Sequence, residues 1–216
     1  MNQFSVFHIG FLVQAAQWTL LLSVLAFVGG GLLGILVALC RVSRHPALRW
    51  LTGAYIQLVQ GTPLLVILFL AYFGISIVGF QLPPLVAAAI ALTLYSGAFL
   101  GEIWRGCIQA VPNTQWEAAE CLGLNRVQQL ATVVLPQAAR IAVAPTVGFM
   151  VQIVKNTSLA SVIGFVELSR AGNLVNNATY QPFLVFITVA FFYFCLCYPL
   201  SVASRRLERR LNAIRN

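Results

Sequence analysis

The sequence predicts an all-α integral membrane protein of five transmembrane helices, with the N-terminus outside and the C-terminus in the cytoplasm. Composition is the first reason. Of 216 residues, 60% are apolar and 8% charged, and the mean hydropathy is +0.87. Water-soluble domains average about 45–50% apolar and about 25% charged. Run length is the second reason, because roughly 20 apolar residues cross a bilayer as a helix and only a helix satisfies its backbone there. The third is where the basic residues stand, since Lys and Arg near span ends mark the cytoplasmic side.

The spans follow in order. The first is Trp18–Cys40, rich in Leu, Val and Gly. No Lys or Arg precedes Arg41, so this run is expected to be a retained span rather than a cleaved signal. An uncharged run from Trp50 to Gly101 is too long for one helix. Gly79, Pro83 and Pro84 divide it into spans near Thr52–Ile77 and Leu85–Ile108. The fourth lies near Ala138–Val166, interrupted at Pro145, Gly148 and Lys155. The fifth is Phe183–Ser204, dense in aromatics. Gly29, Gly30, Gly31 and Gly34 in the first span suit close helix approach.

Arg41, Arg44 and Arg49 follow the first span, and the turn between the second and third carries no charge. Arg105, Arg126 and Arg140 lie between the third and fourth, and Arg170, beside Glu167, between the fourth and fifth. Five of the thirteen basic residues close the chain in RRLERRLNAIRN. This alternation sets the orientation. It also accounts for the net charge of +8 without a nucleic-acid partner; lipid is the expected surrounding. One membrane domain, residues 1–216, is enough. Cys40, Cys107, Cys121, Cys195 and Cys197 fit no metal pattern and read as small packing residues. His8 and His45 sit in no ligand motif.

A polar insert interrupts this pattern. NTQWEAAECLGLNRVQQ, Asn113–Gln129, holds Glu117, Glu120 and Arg126. Pro112 ends the third span. Thr114 with Glu117 reads as a capping box, starting a short helix whose apolar side is Trp116, Ala119 and Leu122. Gly123 suits a left-handed turn after that helix, and Asn125 with Gln128 caps a second one, running to Pro136. The loop, about 112–136, is either a solvated connection or a rigid docking element with an exposed Trp.

The same residues resemble the EAA motif of ABC-importer permease subunits: Glu-Ala-Ala, three residues, Gly, nine residues, an aliphatic, one more, then Leu-Pro. Glu117, Ala118, Ala119, Gly123, Val133, Leu135 and Pro136 match in register. GTPLLVILF (61–69), GEIWRGCIQAVP (101–112) and KNTSLASVIG (155–164) are similar to segments of the polar amino-acid branch, the histidine/glutamine type. Gln60, Ile67 and Asn156 depart from that branch, where Arg, Gln and Asp are usual.

The resemblance implies a transport subunit in a bacterial inner membrane. Its expected partners are two cytoplasmic ATPase subunits, a second copy or a related permease, and an extracytoplasmic amino-acid-binding protein. The coupling helix would comprise Trp116, Glu117, Ala118, Ala119, Leu122, Gly123 and Leu124. The chain has no phosphate-binding G-x-x-x-x-G-K-[ST] run. It is therefore not expected to be an enzyme or to carry a cofactor, ATP and Mg belonging to the partner.

For the substrate path the candidates are Lys155, Asn156, Thr157, Ser158, Glu102 and Thr62. A charge at membrane depth costs about 2.5–3.5 kcal/mol on insertion scales, so Lys155 should line a path, pair with Glu102 or Glu167, or snorkel. Glu102 either pairs with Arg105 or meets a substrate amine. Thr62, in Gly61–Pro63, either lines the route or serves packing. A self-contained carrier or channel for a small zwitterion is the alternative to the ABC reading.

Overall fold

A computed structural model describes residues 4–215 apart from Val78, with side chains as far as Arg209. Arg210 and Arg215, counted in the charge pattern, lie outside the described side chains. The described residues form helices α1 (Val6–Val42), α2 (Pro46–Gln60), α3 (Leu64–Ile77), α4 (Pro84–Gln109), α5 (Asn113–Cys121), α6 (Arg126–Ile163), α7 (Leu168–Thr179) and α8 (Pro182–Arg215). No strand occurs among them. α1, α4, α6 and α8 are each long and apolar enough to span a bilayer. The pair α2–α3 makes a fifth span if it is counted as one.

The first span starts earlier than Trp18. The Ser5 N–H donates to His8 Nδ1 at 3.1 Å, and the Ser5 hydroxyl lies 3.0 Å from the same nitrogen. His8 therefore serves as a helix cap. The added turns are buried against α7 and α8 through Leu12, Ala15 and Ala16.

The second span is bent by 102° between α2 and α3. The break falls on Gly61-Thr62-Pro63, as the helix chemistry there demands. Pro63 lacks the N–H that would continue the ladder. The Thr62 N–H turns to Val59 O at 3.4 Å, and Thr62 Oγ1 takes its place by donating to Leu58 O at 2.7 Å. A Cβ on Gly61 would come within 2.8 Å of Gln57 O. Tyr55 ties α2 back to the bundle by donating to Leu94 O at 2.5 Å.

The fourth span corrects the sequence reading. It is not interrupted at Pro145 or Gly148; one α-helical stretch runs Leu135–Asn156. α8 packs tightly on this part of α6: Ser204 Oγ donates to Ala144 O at 3.1 Å, and a Cβ on Gly148 would lie 3.4 Å from Ser204 Oγ. A proline inside a span is tolerated where a neighbouring helix supports it. The irregularity sits at the two ends instead. A wide π-type turn occupies Gln129–Val134, just before Pro136, and a tight 3-10 stretch follows Asn156. Gln137 Nε2 donates to the Val133 carbonyl at 2.9 Å, bracing this end of the helix.

The segment between the fourth and fifth spans, marked in the charge pattern only by Arg170 beside Glu167, folds as α7. It buries Leu168, Ala171, Gly172, Val175 and Thr179, a helical i, i+3, i+4, i+7 stripe. Glu167 caps it, accepting from the backbone N–H of Ser169 (2.9 Å) and Arg170 (2.8 Å). The Leu168 N–H donates to Thr19 Oγ1 at 3.1 Å, joining α7 to α1.

Candidate functional site: the polar loop and the end of the fourth span

The polar loop is a docked element. α5 starts after Pro112, whose extended backbone (φ −55°, ψ 140°) sets the entry angle, and Thr114 makes no capping bond. The expected Thr114–Glu117 box is not formed, because the proline places the helix start two residues too early for it. α5 ends as Gly123 predicts. Gly123 has φ +74°, its N–H donates to Glu120 O at 2.9 Å, and the Leu124 N–H reaches Ala119 O at 3.2 Å. These bonds close the last carbonyls of the helix. The second cap is complete. The Gln128 N–H donates to Asn125 Oδ1 at 3.0 Å and the Asn125 N–H to Gln128 Oε1 at 2.9 Å. Buried Gln129 adds a bond from Nε2 to Leu124 O at 2.8 Å.

What faces in and what faces out differs from the sequence reading. Trp116 is not an exposed anchor. It is half-buried against Ile108, Val111, Val134 and Ala138, and the Arg126 guanidinium covers its ring at 3.7 Å from the centroid. Ala119 is buried beside it, whereas Leu122 is 80% exposed. The outward surface therefore presents Glu117, Ala118, Glu120, Cys121 and Leu122, with Val127 beyond the joint. Gly123 is exposed and Leu124 half-buried.

The second group gathers where α6 tightens. Thr157 is fully buried and its Oγ1 donates to Val154 O at 2.7 Å. Ser158 Oγ donates to Lys155 O at 2.7 Å. Both hydroxyls thus serve local carbonyls at the change of helix type. Asn156 accepts from Gln152 Nε2 at 3.1 Å through Oδ1, while its Nδ2 is buried without a partner. Lys155 is exposed on the chain. Leu64 and Leu68, just past Thr62, share a core with Ala160 and Ile163, so the break in the second span and the tight end of the fourth are neighbours.

Neither carboxylate pairs with Lys155 among the described residues. Glu167 caps α7. Glu102 is held by Arg105 through two bonds, Nε to Oε2 at 2.8 Å and Nη2 to Oε1. Register explains the separation. Trp104 Nε1 donates to Thr146 Oγ1 at 2.8 Å, which sets α4 against α6. Lys155 is nine residues beyond Thr146, or roughly 13 Å along a helix. The Glu102–Arg105 pair lies within a span, so breaking one side leaves a lone charge there. Glu102→Ala should destabilise the chain by about 1–3 kcal/mol, discounted for the partial exposure of both groups. The double variant Glu102→Gln/Arg105→Gln should cost less than Glu102→Ala, as read from thermal unfolding midpoints in detergent.

Comparison with known proteins follows this geometry. Residues 30–213 match the family described as binding-protein-dependent transport system inner membrane component. The chain is 38% identical over 210 residues to a probable glutamine ABC transporter permease protein, GlnM, of Bacillus subtilis, covering 97% of this chain and 95% of that protein. It is 36% identical over 211 residues to the L-cystine transport system permease protein TcyB of the same organism, covering 93% and 90%. A crystal structure of an amino acid ABC transporter with histidines superposes with TM-score 0.90 at 33% identity, covering 95% of this chain and 96% of that one. The inward-facing MetNI methionine ABC transporter shares the fold, with TM-score 0.82 at 22% identity and coverage of 96% and 99%. The chain belongs to the family of inner membrane components of binding-protein-dependent transport systems, and is a multi-pass permease subunit of the ABC-importer class.

Proposed function

We propose that this permease lies in a bacterial inner membrane with its N-terminus outside and C-terminus inside. There it forms part of the path for a polar amino acid delivered by an extracytoplasmic binding protein. Two cytoplasmic ATPase subunits, which bind ATP and Mg, drive the cycle, and a second copy or a related permease completes the path. The relatives named for glutamine and cystine support the substrate class, and the placement of the arginines supports the orientation.

The observation that carries the coupling role is the outward face of Glu117, Ala118, Glu120, Cys121 and Leu122 on a loop locked by a left-handed glycine, a reciprocal cap and a small core. A loose connection needs none of these. Trp116 packs on the bundle and Ala119 is buried, while Leu124 closes the joint through its backbone; Glu117, Ala118 and Leu122 are free to meet the partner. For the path, Lys155, Asn156, Thr157 and Ser158 cluster where the helix tightens, with Thr62 beside a neighbouring break. Discontinuous helices of this kind are where transporters tend to build sites. Glu102 enters as the partner of Arg105.

Cys121 provides the test. It is exposed on the coupling face, so a variant retaining only this cysteine should cross-link to the ATPase subunit in the assembled complex with a short bifunctional reagent. Absence of that product, with reagent shown to label Cys121, would contradict the coupling face.

A further inference from the structure

We propose that the permease holds one anionic phospholipid, its phosphate on Arg41 and Arg49 beside Arg126 and an acyl chain in the neighbouring groove of α1, α4 and α6.

The headgroup site is a hollow of about 380 Å³ where the first span ends. Three arginines from three separate elements line it: Arg41 at the end of α1, Arg49 on α2 and Arg126 at the start of α6. Ser43, Gln109 and Asn113 add neutral polar groups, and no carboxylate lines it. The nearest acid along α4, Glu102, is committed to Arg105. Arg41 is held in place rather than waving in solvent. Its Nη1 donates to Arg49 O at 3.2 Å, and a Cβ on Gly53 would come within 3.1 Å of that nitrogen. Its Nε is buried with no hydrogen-bond partner among the described residues. A buried donor on a charged group is costly to leave unpaired, so the site is built for an acceptor that the described residues do not supply.

The apolar half adjoins it. A second hollow of about 470 Å³ is lined by Ile35, Leu39, Ile108, Ala139, Ala142 and Val143 among others. Ile108 belongs to both hollows, and Leu39 is two residues before Arg41. The groove offers almost only carbon, and the basic site three guanidinium groups among neutral residues. A ligand that satisfies both has an anion joined to a hydrocarbon chain. Basic pockets between spans at the cytoplasmic surface recognise anionic headgroups in this way. An acidic side chain of a partner protein would satisfy the arginines but leave the groove empty. The proposal rests on the spans and their orientation and is independent of the coupling role.

The test uses the assembled complex, delipidated in detergent and titrated with phosphatidylglycerol. Retained lipid is counted by native mass spectrometry. Phosphatidylcholine with the same chains and inorganic phosphate are the comparison ligands. Wild type should retain phosphatidylglycerol over phosphatidylcholine. Arg41→Gln/Arg49→Gln should lower its affinity by roughly tenfold or more, the scale of losing a charged hydrogen bond. Ala142→Phe, away from the arginines, should weaken it too by filling the groove, and carries the test if the arginine variant does not assemble. Three results would overturn the proposal: equal retention of the two lipids, unchanged affinity in the variants that assemble, or inorganic phosphate displacing the lipid at equal concentration. Loss of ATPase association in the arginine variant with phosphatidylglycerol binding intact would assign the site to a partner's acidic group instead, and would equally overturn it.

Discussion

Gly30→Val will separate α1 from α4 and unfold the bundle more readily than any other single change in the first span. A Cβ at Gly30 would lie 2.3 Å from Ser96 Cβ and 3.2 Å from Gly97 N. These are a β-carbon and backbone of the facing helix, which cannot swing aside. The seam continues on both sides. A Cβ on Gly34 would meet Leu100 Cβ at 3.0 Å, and one on Gly101 would meet Val37 Cγ1 at 2.6 Å. The two helices are therefore in near-backbone contact, the geometry that small residues permit inside a bilayer. Overpacking a fixed core costs about 1–3 kcal/mol and sometimes more; Gly30→Val adds three carbons at the tightest point and should reach the upper end. The measurement is the thermal midpoint of the purified protein in detergent. Gly10→Val, where a Cβ meets nothing within 4 Å, should be close to wild type and serves as the control.

Glu167→Ala should be nearly as damaging, at about 2–3 kcal/mol, from a lost cap and buried donors left unpaired. The carboxylate is fully buried. It accepts the Ser169 and Arg170 N–H groups and, at 2.8 Å, the Tyr193 hydroxyl of α8. One side chain thus fixes the start of α7 and its position on the last span. Burial raises its pKa above the ordinary glutamate value, and the two N–H donors and Tyr193 only partly oppose this. The sign of the pH effect follows. A carboxyl whose folded pKa is raised contributes stability that is complete below the unfolded value, about 4.3. That contribution is lost as pH rises through the higher folded value. Wild type should therefore lose more stability than Glu167→Gln when the pH is raised upward from about 4.3. Parallel pH profiles for the two proteins would contradict this.

The sequence showed most of the membrane plan because hydropathy and proline placement act locally. The third span was legible to within a residue, as Pro83-Pro84 starts it and Pro112 follows it. The break at Gly61-Thr62-Pro63 has an equally local cause, the missing N–H of Pro63. What escaped depends on neighbours. Pro145 reads as an interruption in isolation, but α8 packs against that turn and the helix continues. Trp116 reads as exposed in a polar loop, but Arg126 covers it and the bundle end receives it. Thr114 satisfies the capping pattern, yet Pro112 starts the helix earlier; Asn125 satisfies it with no competitor, and that cap forms. α7 (LSRAGNLVNNAT) is too polar for hydropathy to single out. Its stripe from Leu168 to Val175, behind Glu167, was present to be counted.

The same limit governs the site. The Glu-Ala-Ala spacing identified the loop, but the spacing could not tell which residues hold it and which face outward. Lys155 was legible as an unusual charge. Its distance from Glu102 was not, because that distance is set by the Trp104–Thr146 bond between two helices.

The central claim is that this chain moves substrate only when an ATPase acts on its polar loop. The direct measurement is uptake of a radiolabelled polar amino acid into proteoliposomes, with binding protein present, for the permease alone, with ATPase subunits, and with ATPase plus Gly123→Pro permease. Gly123 has φ +74°, which proline, fixed near −65°, cannot adopt. The account predicts uptake only in the second preparation with ATP, and loss of uptake in the third although the complex still assembles. Uptake by the permease alone, or undiminished uptake through Gly123→Pro, would contradict it.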